Sequence, residues 1–212
     1  MEIKNKIIEG ATTLFHKYGV RSVSMDDIAR YLSMSKKTLY QYFKDKDELV
    51  TLGMRAHMEQ EKSEFEEIVD HADNAIHEMA SVTKLMRKNM KDINPSLLYD
   101  LQKYHPNAWN VWLDFKDNYI KDSVVSTLRR GVEQGLFRDE IDPEIMAIFR
   151  VEQVQMAFND QVFPSDKFNF KEVQISFLDH FIYGLVNDKG RVLFQKYLDQ
   201  ETKTNSIEQH EN

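Results

Sequence analysis

Ser24-Met-Asp-Asp-Ile-Ala-Arg-Tyr-Leu-Ser-Met-Ser-Lys-Lys-Thr-Leu-Tyr-Gln-Tyr-Phe43 reads as two short helices about a tight turn. Ser24 is placed to N-cap the first helix, with Asp27 three residues on in a capping-box arrangement. Met25, Ile28, Ala29 and Leu32 recur at helical spacing and give that helix one apolar face. Ser33 to Ser35 supply the turn, and Ser35 is a second N-cap. The second helix sets Leu39, Tyr42 and Phe43 on one side and Lys37, Thr38, Tyr40 and Gln41 on the other, with Lys36 at its N-terminal tip. Such a face suits a DNA major groove. Lysines meet phosphate or guanine, hydroxyls bond phosphate oxygens, and a helix N-terminus attracts anions.

Two runs in this region carry a family resemblance. Ser22-Val-Ser-Met-Asp-Asp-Ile-Ala29 and Ser35-Lys-Lys-Thr-Leu-Tyr-Gln-Tyr-Phe-Lys-Asp-Lys-Asp-Glu-Leu49 follow a lead-in, Phe15-His-Lys-Tyr-Gly-Val20. In order and spacing they resemble the DNA-binding domain of TetR/AcrR-type regulators, over roughly the first fifty residues. The chain departs from that pattern in having Ser33 where the family usually has Gly, and Lys37 where it often has Gly, Ala or Pro. A positive φ at Ser33 would cost about 1 kcal/mol. The resemblance implies a dimeric DNA-binding regulator, with Ser24, Lys36, Lys37, Thr38, Tyr40, Tyr42 and Lys46 as its DNA-binding residues.

Bulk properties bound the class. The chain has 212 residues, 42% hydrophobic and 30% charged, enough for one or two domains with a sizeable core. It contains no cysteine, which excludes a disulfide framework and thiol-ligated metal. No apolar run approaches the roughly 18 residues of a spanning helix, and the N-terminus lacks a signal-peptide pattern. A cytoplasmic protein with no membrane contact is the expectation. The net charge of −7 is unevenly distributed. Residues 1–50 hold nine basic and seven acidic residues, and the remainder 19 and 28. An acidic body would repel DNA, so the head must supply the local attraction.

The rest of the chain carries helical periods only, giving an all-α fold of about nine or ten helices. A helix-turn-helix head spans 1–47, a helical effector-binding and dimerisation body 48–200, and a polar tail 201–212 reads as disordered. Ile3, Ile7, Ala11, Leu14 and Tyr18 form the first helix, with Gly19 as its C-terminal cap. Asp45 and Glu48 cap a long helix over about 46–69. Asn94-Pro95 and Asp142-Pro143 read as helix starts with proline in the first turn. Gly135 ends a long helix that begins near Trp109.

The stretches 143–160 and 171–186 are apolar on two faces. A helix of that kind is buried on both, one against its own core and one against a partner. Two such helices from each of two copies make a four-helix bundle, so a homodimer is expected, with Ile148, Phe158, Phe177 and Phe181 at its interface. A sandwiched helix inside one monomeric core is the competing reading. No GxSxG, HExxH or Walker loop occurs, and the histidines show no ligand spacing, so neither an enzyme nor a metal or cofactor site is expected. Met86, Met90, Trp109, Trp112, Phe115 and Tyr119 are candidates to line an apolar effector pocket, although core packing alone explains such a stripe and is the favoured reading residue by residue. The favoured function is a repressor that binds a palindromic operator in double-stranded DNA and is released by a small apolar effector. The alternative is a helical protein–protein interaction module using the same head.

Overall fold

Polar residues start the helices of the head where the sequence places them. In the computed structural model, which describes residues 2–90 and 93–208 and side chains as far as Asp199, α1 runs Ile3–Tyr18, α2 Met25–Tyr31 and α3 Lys36–Tyr42. The Ser24 hydroxyl accepts the Asp27 N–H, and the Asp27 carboxylate accepts the Ser24 N–H at 3.0 Å, closing a capping box. The hydrogen bonds from Ser24 hold the Asp27 carboxyl below its usual range. Ser35 caps α3 through the Thr38 N–H at 3.0 Å, and Gly19 ends α1 at φ 80°. Ile7, Ala11, Ile28, Leu39 and Phe43 meet behind these helices in a core sealed from solvent.

The turn between α2 and α3 is strained. Ser33 adopts φ 54°, the only positive value at a non-glycine residue among those described. Its N–H bonds the Arg30 carbonyl at 3.2 Å, and the next N–H, of Met34, reaches the Ala29 carbonyl at 2.9 Å. The turn geometry is therefore enforced by backbone hydrogen bonds, against the preference of an L-residue.

The body follows without a break. Helix α4 (Lys46–His71) leaves the head, capped by Asp45 and by Glu48, which reaches back to the Lys44 N–H at 2.7 Å. Then come α5 (Ala75–Asn89), α6 (Leu97–Tyr104), α7 (Pro106–Asp114), α8 (Lys121–Glu133), α9 (Pro143–Met156), α10 (Phe170–Leu185) and α11 (Asp188–Glu208). A π segment at Phe115–Ile120 joins α7 to α8 in one rod. The all-α class holds, the one β pairing among the described residues being an isolated bridge from Phe137 to Val186.

Two local expectations are corrected. Pro95 does not lie in a helix but in a turn just before one, in which the Asn94 carbonyl accepts the Leu97 N–H at 3.1 Å while the Asn94 N–H is bonded to the His16 carbonyl at 2.7 Å. The Asn94 side chain accepts the Ser96 N–H, and α6 begins at Leu97. The backbone of residues 201–208, expected as disordered tail, continues α11, since no Gly or Pro after Gly190 interrupts its ladder. Residues 209–212 lie outside those described.

Apolar side chains form three clusters. The first joins the head to Met54 and Met58 of α4, Leu97, Leu98 and Leu101 of α6, and Trp112 and Phe115. The second lies between α5, α8, α10 and α11, around Ile76, Leu128, Ile182 and Phe194. The third is small and centres on Ala157, Phe170 and Val173. Two of the buried charges are met by opposite charge. Glu78 pairs with Arg130 and accepts the Thr127 hydroxyl at 2.5 Å, while the Lys116 ammonium lies 2.8 Å from Glu152 and 3.3 Å from Asp117.

At the head–body joint the rings of His16 (α1) and His57 (α4) meet edge to face with centroids 4.4 Å apart. Burial and the neighbouring His16 push His57 down to about 3. A base with a lowered folded pKa gives stability that is present above its unfolded value near 6.5 and lost as pH falls toward the folded one. The His57→Gln variant should therefore lose less stability than the wild type when urea unfolding is compared at pH 7 and pH 4.5. Equal losses would show that His57 does not set the acid limit. Ser33→Gly should raise stability by up to about 1 kcal/mol through relief of the positive φ. A lower urea midpoint for that variant would mean that the serine side chain outweighs the strain.

Candidate nucleic-acid interface

Helix α3 is anchored by Leu39 and Phe43 and turns the rest of its surface outward. Lys36, Lys37, Tyr40 and Gln41 are exposed, and Thr38 is half-buried. The Lys36 ammonium donates to Asp26 of α2 at 3.0 Å, which raises its pKa. That pair is open to solvent, so it holds the side chain only weakly and leaves it free to exchange Asp26 for another acceptor. Lys37 is an exposed cation beside it. The Thr38 and Ser35 hydroxyls lie 2.8 Å apart at the N-terminus of α3, where backbone N–H groups point outward. Tyr40 stands 48% exposed. Lys36, Lys37, Thr38 and Tyr40 therefore share one accessible surface at the edge of the molecule.

Three expected site residues are placed differently. Ser24 is exposed, but its hydroxyl is engaged by Asp27 at 2.5 Å in the capping box. Tyr42 is half-buried and packs against the head core. Lys46 is partly withdrawn from the surface. Its ammonium turns inward to donate to the Val20 carbonyl at 2.6 Å and rests 5.9 Å from the Phe15 ring centroid. Burial lowers its pKa, with Asp100 and Asp27 acting in the other direction. Lys46 thus ties the α1–α2 loop to the start of α4 rather than facing outward.

The sequence reading passed over the residues that couple this surface to the body. The buried Asp100 of α6 accepts the Arg21 N–H at 2.9 Å, and Asn94 holds the end of α1. Gly19 sits between them. A Cβ there would approach the Ser96 hydroxyl to 2.8 Å, so the close contact needs glycine in addition to the positive φ. An acidic residue among the apolar positions Leu97, Leu98 and Leu101 was the available signal for Asp100.

The candidate pocket residues do not converge on one cavity. Phe115 and Tyr119 stack at 5.1 Å and line an open groove against α4, with the Tyr119 hydroxyl on the Lys62 carbonyl. Trp109 lines a second groove, of about 970 Å³, between α6 and the segment after α9. Trp112 is buried in the first cluster, Met86 packs on the second and Met90 on the third. Among the candidate interface residues Ile148 is 55% exposed, and Phe158 and Phe177 are half-buried. Phe181 is placed deeper. At 4% exposure it lies inside the second cluster and serves the chain's own core. The exposed apolar face belongs to α9 and comprises Ile145, Ile148, Phe149 and Met156.

Among the described residues no group of His, Asp or Glu side chains is arranged to hold a metal ion, and no helix is long and apolar enough to cross a membrane. Residues 7–51 match the family described as bacterial regulatory proteins, tetR family. Over 172 residues the chain is 26% identical to an uncharacterized HTH-type transcriptional regulator, YvaF of Bacillus subtilis, spanning 79% of this chain and 88% of that one. It is 22% identical to the HTH-type transcriptional repressor KstR2 of Mycobacterium tuberculosis over 69% of this chain and 74% of the relative. The fold is similar to that of reduced Escherichia coli NemR, with a TM-score of 0.72 at 13% identity over 88% and 98% of the two chains. The capped α2–α3 pair and the matched head lead to one conclusion: residues 7–51 are a DNA-binding head of the tetR type, on a body whose fold is similar to that of solved transcriptional regulators.

Proposed function

We propose that the protein is a homodimeric repressor whose two heads read a palindromic operator and are released by a small effector bound in the body. The outward face of α3 carries this reading. Its cations and hydroxyls lie at a helix N-terminus, on a frame held by caps and a sealed core, as a recognition helix requires. Phosphate attraction positions the head, and Lys36 or Lys37 reads guanine in each half-site through its O6 and N7 acceptors. Two heads related by a two-fold axis enter successive major grooves about 34–36 Å apart.

The exposed stripe of α9 supports the dimer. Ile145, Ile148 and Phe149 step by three and one along a face that the chain itself leaves uncovered. On α10, Gly184 is exposed, and a Cβ there would meet nothing within 4 Å. A glycine within a helix costs about 1 kcal/mol relative to alanine, and nothing among the described residues requires one here. Close approach of a second copy does. Release follows from the joint. An effector that prefers a body geometry incompatible with operator spacing shifts α4 and α6, and Asp100, Asn94 and Lys46 carry the shift into the head.

The reading is tested by titrating duplex DNA with the protein at several salt concentrations, where specific binding should weaken steeply as salt rises. Lys37→Ala should cost about 1–3 kcal/mol on the preferred site and relax preference at one base position. A uniform loss over all sequences would make Lys37 a phosphate anchor and remove it from base reading. Ile148→Asp should give a folded monomer by sedimentation with lost operator binding, because the charge is buried only when the partner is present. A dimer that persists in this variant would move the interface away from α9.

A further inference from the structure

The inner face of α9 presents a buried cation that the fold does not neutralise. Arg150 is 6% exposed. Its Nη1 has no hydrogen-bond partner, and its Nη2 meets only the Met86 sulfur of α5, at 3.7 Å. Among the described residues no carboxylate lies within ion-pair distance of it. The other cations drawn into the body are treated differently, Arg130 being paired with Glu78, and Lys116 with Glu152 and Asp117. Burial alone lowers the Arg150 pKa, to about 10, so the group stays charged at neutral pH. Gln153 follows three residues later on the same face, 4% exposed, with its amide oxygen also unbonded.

An unpaired guanidinium in an apolar interior is strongly unfavourable, and it persists where another requirement holds it. The planar fork of donors matches a carboxylate, and one positive charge balances one negative charge. Besides Gln153, the positions of α9 that flank Arg150 at helical spacing are apolar, Met146, Ala147, Val151 and Val154, and Met86 of α5 lies opposite. A thioether side chain is flexible and yields space readily. We propose that Arg150 is the anchor for an anionic effector, a largely apolar monocarboxylate whose carboxylate displaces Met86 from the guanidinium and whose body lies among the apolar side chains between α5 and α9. This inference rests on the effector-responsive reading above and names the class of molecule that serves it.

The test uses the purified full chain and matched probes. Decanoate and 4-phenylbutyrate are compared with 1-decanol and 4-phenyl-1-butanol, by thermal shift and by tryptophan fluorescence. At least one carboxylate should raise the melting temperature of the wild type while its alcohol does not. Arg150→Met, which removes the charge and keeps the bulk, should bind that carboxylate at least tenfold more weakly and, without ligand, melt no lower than the wild type. Arg150→Gln serves as a second neutral variant if the first does not fold. Equal response to acid and alcohol, no response to either acid, or unchanged affinity in the folded neutral variant would overturn the assignment. Operator binding separates this from the broader reading. A protein that binds its operator but ignores carboxylates fails the effector assignment alone, whereas one that binds no DNA fails the regulatory reading.

Discussion

The carboxylate of Asp100 accepting the Arg21 N–H at 2.9 Å is a small contact with a large structural consequence. It lies buried on α6, between leucines that pack against the head, and it fixes the loop that joins α1 to α2. The Asn94 N–H does the same for the end of α1, and Lys46 closes the arrangement from the start of α4. These polar contacts sit at the edge of an apolar cluster that runs without interruption from Ile7 to Phe115. The head is thus a continuation of the body core. Its orientation is set by where α4 and α6 lie, since close-packed interiors pass displacement on rather than absorb it.

That continuity explains how one chain can reconcile a net charge of −7 with DNA recognition. The basic surplus is confined to the head, where Lys36 and Lys37 stand on a short helix whose position is dictated by caps and by Leu39. The acidic surplus lies in the body. Two devices there show that stability has not been maximised. Among the described residues none crowds Gly184 of α10, and no carboxylate pairs with the charge of Arg150 on α9. Both become intelligible when something outside the chain, a second copy or a ligand, completes them.

Much of the head was legible in the sequence because its determinants are local. Ser24 with Asp27, Ser35 with Thr38, and Asp45 with Glu48 are contacts three residues apart, and each forms as its spacing implies. The departure at Ser33 was likewise readable, and the residue does take a positive φ. What escaped sequence reading depends on distant partners. Lys46 turns inward because the Val20 carbonyl, 26 residues earlier, awaits it. Pro95 lies in a turn just before α6, beside an Asn94 N–H that bonds the His16 carbonyl far back in the chain. Phe181 lies on an apolar stripe like that of Phe177, yet packing assigns it to the chain's own core. Arg150 was visible as one charge among apolar positions, but only the assembled fold shows that no carboxylate meets it.

In the proposed regulator two identical heads, oriented by a shared core, read DNA together. Selection of bound duplexes from a random-sequence pool tests it most directly. The account predicts enrichment of an inverted repeat whose half-sites each contain guanine and lie about one helical turn apart, or a whole number of turns. Enrichment of a single half-site without symmetry, or recovery of no preferred sequence at low salt, would contradict it.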